Sequence, residues 1–138
     1  LTGPPGTGKS TLAGRLAEVS EKYASDFAFP ASAGHVYTTA TADWTTFGPP
    51  GRYMPTPQGT GLVFQEGLFV QALRENKWLV IDELNRADVD KAFGQLFTVL
   101  SGHNAVMPFR QDGQNVTLAF DRNSPSSGYA RETGRYTV

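Results

Sequence analysis

The feature that most constrains this chain is a glycine-rich stretch near its start, GPPGTGKS, from Gly3 to Ser10. Two glycines five positions apart are followed by lysine and serine, which is the pattern of a phosphate-binding loop. Because glycine has no Cβ, the backbone can bend tightly and point several N–H groups at one anion. Such a loop follows a strand and leads into a helix, whose positive end adds to the attraction. The motif therefore predicts an α/β fold with an anion site.

Each position of this motif has a predicted task in holding a nucleotide with Mg²⁺. Lys9 is placed for its ammonium to reach the β- and γ-phosphates, and the Ser10 hydroxyl is an oxygen ligand suited to Mg²⁺. Thr11 is placed to hydrogen-bond an α-phosphate. The predicted nucleotide-binding residues are Gly3, Pro4, Pro5, Gly6, Thr7, Gly8, Lys9, Ser10 and Thr11. A glycine-rich turn that matches by chance is the alternative, but the match stands directly before a strong helix signal.

A second group of residues completes the predicted site. Four apolar residues, 78–81, are followed abruptly by Asp82 and Glu83, as in a buried parallel strand whose end emerges at the edge of a sheet. Adjacent strand residues point to opposite faces, so the two acids are expected to have different tasks. We predict that Asp82 is the metal partner of Ser10 and that Glu83 is the general base that orients the attacking water. An acidic strand end alone is equally typical of a solvated surface.

The remaining pattern alternates between helix and strand. Leu12, Leu16 and Val19 recur at helical spacing and predict an amphipathic helix from residue 9 to about residue 24. A strand is predicted over 35–42, and an irregular loop with room for a short hairpin over 44–61. A helix is predicted over 66–75, where it would bury Leu68, Phe69, Ala72 and Leu73. A second helix is predicted over Val89–Leu100 with Asp88 as its cap, followed by a hairpin that turns at Asp112 and Gly113. Residues 121–135 are polar and rich in breakers, which predicts a mobile loop.

Composition excludes several classes of protein. The 138 residues carry a formal net charge of -1, so neither nucleic acid nor a membrane surface is indicated as a direct partner. Cysteine is absent, which excludes disulfides and thiolate metal sites and fits a reducing compartment. The two histidines, His35 and His103, are isolated and are interpreted as structural. No long apolar run is present, so we expect a soluble, cytoplasmic protein.

The stretches GPPGTGKS and WLVIDELNRAD together resemble the AAA+ ATPases, and the DELNRA form is similar to the branch with MoxR-type, McrB-type and dynein-related proteins. The resemblance covers nearly the whole chain. It implies the three-layer α/β sandwich of P-loop NTPases with an incomplete parallel sheet and β-hairpin inserts. It also implies that Asn85 helps to place the water and that Arg86 faces the neighbouring subunit or its nucleotide. An ordinary surface salt bridge is an equally weighted alternative for Arg86.

The resemblance also implies how the domain is assembled and completed. ATP and Mg²⁺ would bind between neighbours in a homo-oligomeric ring, usually of six subunits, that remodels an unidentified macromolecule. No membrane is implied, and nucleic acid would be reached only through a partner or another domain. Residues 1–138 would be a partial AAA+ domain that lacks most of its first strand, the sensor strand, the arginine finger and the helical lid. We therefore expect the chain to be an excerpt of a longer protein, since several unpaired strand edges can abolish independent folding.

Four functions fit these residues to different degrees. The leading prediction is a Mg²⁺-dependent nucleoside triphosphatase, with ATP favoured over GTP. The alternatives within the same family resemblance are a GTP-hydrolysing restriction subunit of McrB type and a nucleotide-gated scaffold that associates without hydrolysis. A small-molecule phosphotransferase shares the phosphate loop, but the adjacent acids Asp82 and Glu83 favour water as the acceptor.

Overall fold

A computed structural model of the protein describes residues 1–26, 32–45, 48–121, 128–130 and 134–137, with 128–130 described by their backbone alone. Three α-helices, a short 3₁₀ helix and eight strands are found in these residues. In chain order they are α1 (Lys9–Lys22), β1 (His35–Thr39), β2 (Gly51–Pro55), β3 (Leu62–Glu66), α2 (Leu68–Arg74), β4 (Trp78–Asp82), the 3₁₀ helix (Leu84–Arg86), α3 (Val89–Leu100), β5 (Ala105–Gln111), β6 (Gln114–Ala119), β7 (Gly128–Ala130) and β8 (Arg135–Thr137).

The two parallel strands that carry the predicted site are β1 and β4. They pair from His35 opposite Trp78 to Thr39 opposite Asp82, and the N–H of Ala40 donates to the Asp82 carbonyl at 2.8 Å. Both α1 and α2 contact β4. The parallel direction was predicted, but the strand is only half-buried, with Trp78 40% exposed. Within the described residues β1 is the one strand paired with β4, so the second edge of β4 is uncovered and the three-layer sandwich stays a prediction.

Helix α1 follows the phosphate loop directly, as predicted, and ends at Lys22. Its apolar residues have the predicted spacing, but Leu12, Leu16 and Val19 are 50%, 53% and 44% exposed. An open apolar groove of about 570 Å³ runs between this helix and the uncovered edge of β4. The prediction of a helix is therefore confirmed, while the burial that its amphipathic pattern implied is not found among the described residues.

The breaker-rich stretch before α2 forms an antiparallel hairpin. Strands β2 and β3 pair from Gly51 opposite Glu66 to Pro55 opposite Leu62. A close backbone approach fixes this hairpin to α2: the N–H of Phe69 donates to the Pro49 carbonyl at 3.0 Å, and a Cβ on Gly67 would collide with that carbonyl. The predicted helix over 66–75 was too long at its start because Glu66 completes the hairpin.

Helix α2 buries most of the predicted face, and the partly buried Phe69 packs against the core. Val70, Ala72 and Leu73 are buried, whereas Leu68 is 37% exposed. The hairpin fixes the first residue of the helix and therefore its rotation, which periodicity over so short a segment does not determine. The predicted burial was wrong at Leu68 and right at Ala72 and Leu73.

The last part of the described chain forms a four-stranded sheet in the order β5-β6-β8-β7. Asp112 and Gly113 turn the β5–β6 hairpin with φ of 50° and 82°, the left-handed geometry that suits a tight hairpin. Strand β8 pairs with β6 in parallel and with β7 in antiparallel. The interpretation of 121–135 as one mobile loop is wrong for residues 128–130 and 135; residues 122–127 and 131–133 lie outside the described part.

The hydrophobic core lies where α2 and α3 pack on this sheet. Helix α3 has the predicted bounds, and the Asp88 carboxylate caps it by accepting from the N–H of Lys91 at 3.2 Å. The buried cluster consists of Phe64, Val70, Leu73, Ala92, Phe93, Leu96, Val99, Ala105, Met107, Phe109, Val116, Leu118 and Tyr136. The apolar period of the sequence places Phe97 and Leu100 on the same face of α3 as Phe93 and Leu96, but these two residues are exposed. No helix in the described ranges has the length and apolar character needed to span a bilayer.

Candidate nucleotide-binding site

The phosphate loop forms a turn whose shape depends on its glycines. Gly6 and Gly8 have φ of 75° and 76°, and a Cβ at either position would point into open space. Gly8 is also the N-cap of α1, which begins at Lys9. The first N–H groups of a helix have no partner inside the helix and carry its positive dipole end. The loop and the first turn of α1 therefore present backbone donors to one small volume, which suits a phosphate group.

The Lys9 side chain lies folded over this loop. Its Nζ donates to the carbonyl oxygens of Gly3 at 2.9 Å and Pro4 at 2.7 Å, and the Thr7 hydroxyl donates to the Pro4 carbonyl at 2.9 Å. The ammonium is thus held against the loop by two of its carbonyl oxygens. A phosphate in the loop would meet a positive charge that the backbone has already placed.

The Ser10 hydroxyl and the Asp82 carboxylate are brought together from opposite parts of the sequence. Ser10 Oγ donates to Asp82 Oδ2 at 2.6 Å across 72 positions of the chain. The same oxygen accepts from the Tyr37 hydroxyl at 3.0 Å, and Asp82 Oδ1 accepts from the N–H of Glu83 at 2.9 Å. Hydrogen bonds from Ser10, then Tyr37, then the Glu83 N–H lower the pKa of Asp82, which keeps its carboxylate ionised at neutral pH.

This donor set fits Mg²⁺ with a nucleotide. A hydroxyl and one carboxylate are hard oxygen donors, and Mg²⁺ commonly takes one or two protein oxygens and completes its shell with water and phosphate oxygens. No cluster of three or more His, Cys, Asp or Glu residues lies within the described part of the chain. The oxygens of Ser10 and Asp82 match this simple requirement of Mg²⁺.

A cleft of about 410 Å³ joins the predicted site residues. Its described lining is Leu1, Thr2, Lys9, Ser10, Ala13, Tyr37, Val80, Ile81, Asp82, Glu83, Leu84 and Asn85. Of the four predicted catalytic residues, Lys9, Glu83 and Asn85 reach this cleft. Arg86 is exposed at the end of the 3₁₀ helix and is not part of that lining. Thr11 is exposed in the first turn of α1, next to Ser10.

The chain also matches a known family. A family model for the AAA domain of the dynein-related subfamily matches residues 1–117. The chain belongs to this family. The match includes the phosphate loop, Asp82, Glu83 and α3, and it supports a P-loop α/β fold with nucleotide-dependent AAA activity in general. Searches of curated proteins and of solved structures gave no significant match.

Glu83 of this AAA domain does not continue strand β4, contrary to the prediction that Asp82 and Glu83 alternate along one strand. Strand β4 ends at Asp82, and Glu83 lies beyond it with φ 52° and ψ 38°, in the left-handed region. That conformation costs a residue with a side chain on the order of 1 to 2 kcal/mol. The two acids are therefore separated by a turn into the 3₁₀ helix and not by strand alternation. Strained residues of this kind cluster at functional sites, which favours a role for Glu83.

Tyr37 lies at the site although no motif in the sequence indicates it. It was recognised only as part of a strand, and its hydroxyl reaches Asp82 because β1 and β4 pair in parallel with Thr39 opposite Asp82. No spacing between Tyr37 and Asp82 indicates this contact, since the register of two strands 43 to 45 residues apart is set by tertiary structure. His35 lies on the same strand, with Nδ1 3.0 Å from Glu21 Oε1, and stays interpreted as structural.

Proposed function

We propose that this AAA domain binds ATP with Mg²⁺ and hydrolyses it within a homo-oligomeric ring, with six subunits as the expected number, that remodels another macromolecule. The single observation that supports this most strongly is the 2.6 Å hydrogen bond between Ser10 and Asp82. It places the last residue of the phosphate loop motif against the carboxylate at the end of β4. This is the arrangement that a Mg²⁺-bound triphosphate requires.

The proposed tasks follow from the positions of the residues. The backbone N–H groups of the loop and Lys9 would bind the phosphates, and Thr11 would bind the α-phosphate. Ser10 and Asp82 would hold Mg²⁺, which when bound neutralises charge on the β- and γ-phosphates. Glu83, exposed beside the cleft, would orient the attacking water as general base. Asn85 would help to place that water, and Arg86, outside the cleft, would face a neighbouring subunit or its nucleotide.

The assembly and location belong to the same proposal. We propose that residues 1–138 are part of a nucleotide-binding domain whose sensor strand, arginine finger and helical lid lie in other residues. The uncovered edge of β4 and the exposed apolar face of α1 support a sheet that is larger than the described pair of strands. The absence of cysteine fits the reducing cytoplasm.

The decisive experiment compares the full-length protein with its Glu83→Gln variant. Glutamine keeps the shape of the side chain but removes the base, so we expect turnover of ATP to fall at least 100-fold while the affinity for Mg²⁺-ATP is retained. Glu18→Gln is a matched control, since Glu18 is exposed on α1 and pairs with Arg15. Phosphate release and equilibrium nucleotide binding are measured for all three proteins.

The outcomes separate the candidate functions. Unchanged turnover in Glu83→Gln would remove Glu83 as the base. Binding without turnover in the wild-type protein would favour the nucleotide-gated scaffold, and faster turnover of GTP than of ATP would favour the McrB-type alternative. Failure to bind either nucleotide would overturn the proposal.

A further inference from the structure

We infer that Tyr37 is a positioning residue for the bound metal: its hydroxyl holds the Asp82 carboxylate in the orientation that leaves the Ser10 oxygen free for Mg²⁺. The inference rests on the proposed function of the site and adds a residue to it. Tyr37 lies outside both sequence motifs, on β1, and its contact with Asp82 depends on the pairing of β1 with β4.

The position of Tyr37 is set by the parallel register. Tyr37 is opposite Val80 and Thr39 is opposite Asp82, so Tyr37 and Asp82 lie diagonally across the two strands on the same face of the pair. A diagonal neighbour is too far for a short side chain, but a tyrosine ring spans the gap. Its hydroxyl reaches Asp82 Oδ2 at 3.0 Å.

The hydrogen bonds around Asp82 then fix how its carboxylate points. An ionised carboxylate has two oxygens with about four lone-pair sites. Oδ2 accepts from Ser10 and Tyr37, and Oδ1 accepts from the N–H of Glu83. Because both lone-pair sites of Oδ2 are filled, rotation of the carboxylate would break at least one of these three hydrogen bonds. One lone-pair site on Oδ1 is left to accept from a donor such as a metal-bound water.

This orientation determines what Ser10 can do. The Ser10 hydroxyl donates its single proton in the hydrogen bond to Asp82, so both lone pairs of its oxygen are available to a cation. Without the second donor on Oδ2, the carboxylate could turn towards the cation and Ser10 would lose its acceptor. Tyr37 thus acts on the metal through Asp82 and need not touch the metal or the phosphates.

The exposure of Tyr37 makes packing a weak reason for a tyrosine at this position. The side chain of Tyr37 is 45% exposed and lines the cleft beside Ser10 and Asp82. If the Tyr37 ring only packed on the strand, removing its hydroxyl would leave the Mg²⁺ requirement of the protein unchanged. Tyr37→Phe keeps the ring on the strand and deletes only the hydrogen bond, so it separates the two roles.

The test measures the Mg²⁺ concentration for half-maximal tight binding of a fluorescent ATP analogue to the full-length protein, and the affinity for the same analogue in excess EDTA. For Tyr37→Phe we expect a rise of about 10-fold in the Mg²⁺ requirement, since losing a group that orients a metal ligand typically costs 10- to 100-fold in metal affinity. The affinity in EDTA should stay within about two-fold. Tyr23→Phe is the matched control, because Tyr23 is 38% exposed, its ring lies against the Lys22 ammonium, and it is not part of the described cleft lining.

Each other outcome overturns the inference. An unchanged Mg²⁺ requirement, or equal weakening with and without Mg²⁺, would show that the hydroxyl does not act through the metal. Loss of folding, followed by far-UV circular dichroism, would show that it holds the strand pair together instead. If the wild-type protein itself binds the analogue with no Mg²⁺ dependence, the proposed function fails together with the inference. If the wild-type protein depends on Mg²⁺ and Tyr37→Phe does not change that dependence, only the inference fails.

Discussion

In the half of the molecule that contains the phosphate loop, α1, β1 and β4, the large apolar side chains are partly exposed, whereas the half formed by α2, α3, β5, β6 and β8 contains most of the buried core. We call these the loop half and the hairpin half. In the loop half the buried apolar residues among those described are small, Ala17 and Ala40, while Leu16 is 53% exposed. In the hairpin half, Leu96, Val116 and Leu118 are at most 1% exposed.

The difference teaches that the site and the stability of the described chain have separate origins. The geometry of the site depends on short-range backbone turns and on three hydrogen bonds to Asp82, none of which needs a deep core. The free energy of folding depends mainly on apolar burial, which is concentrated in the hairpin half. Substitutions in the two halves should therefore affect different measurements.

The largest expected effect is on stability, from Leu96→Ala in α3. Deleting this side chain, which is 1% exposed, should lower the free energy of unfolding by about 2 to 5 kcal/mol through lost burial and a residual cavity. The matched variant Leu16→Ala, on the exposed face of α1, should change it by about 0.5 kcal/mol or less. Chemical denaturation of residues 1–138 measures both, because the larger sheet proposed for the full-length protein would cover Leu16. Equal losses in residues 1–138 would contradict the comparison.

A smaller effect is expected from Tyr136→Phe, again in the hairpin half. The Tyr136 hydroxyl is fully buried and lies 2.6 Å from Glu66 Oε1 and 2.8 Å from Gln111 Oε1. The Glu66 side chain is 9% exposed and also pairs with Arg74. Removing the hydroxyl leaves a buried acceptor without this donor, which should cost about 1 to 3 kcal/mol of unfolding free energy.

The control for Tyr136→Phe is Tyr53→Phe. The Tyr53 hydroxyl accepts from the N–H of Arg110 at 2.6 Å, but the residue is 40% exposed, so water can replace the lost partner. Urea denaturation of both variants should show the smaller loss for Tyr53→Phe. A larger loss for Tyr53→Phe would mean that the contact between the β2–β3 hairpin and β5 contributes more stability than the buried Tyr136 hydroxyl. The β2–β3 hairpin would then have to be counted with the hairpin half.

The sequence predicted the parts of this fold whose causes are local. The phosphate loop was recognised because glycines, lysine and serine must stand at fixed spacing, and the structure forms a turn there, with Gly6 and Gly8 at positive φ directly before α1. Helix α3 was predicted with its bounds because Asp88 provides a cap and the apolar period runs over twelve residues. The β5–β6 turn was predicted because Asp112 and Gly113 favour left-handed backbone.

The rest was not predictable because its causes are non-local. The role of Tyr37 depends on strand register, and the three-residue strands β7 and β8 carry too little pattern to be distinguished from a loop. The left-handed turn at Glu83 follows from how the chain leaves β4 and enters the 3₁₀ helix, which no residue type in that stretch signals. The roles of Glu83, Asn85 and Arg86 stay predictions, since they concern water, nucleotide and a neighbouring subunit.

The smallest expected effect is the pH dependence of the cap on α3. The side chain and backbone N–H of Lys91 lower the pKa of Asp88 below its ordinary value of 3.8. A carboxyl group whose pKa is lower in the folded state stabilises that state above its ordinary pKa, and the contribution disappears as the pH falls through the folded-state value. We therefore compare Asp88→Ala with Asp88→Ser, because serine keeps a capping oxygen but has no charge that titrates.

Thermal melts of the full-length protein from neutral pH to below pH 3.8 check this prediction. At neutral pH Asp88→Ala should melt lowest, with Asp88→Ser close to the wild type. As the pH falls, the wild type should lose its advantage over Asp88→Ala, while the difference between the two variants persists because serine caps at every pH. A constant gap between wild type and Asp88→Ala down to the lowest pH would show that the charge of Asp88 does not stabilise the helix. The stability of the hairpin half would then come from apolar burial, without a measurable contribution from the charge of Asp88. The contrast with the loop half, where the carboxylate of Asp82 organises the site, would become sharper.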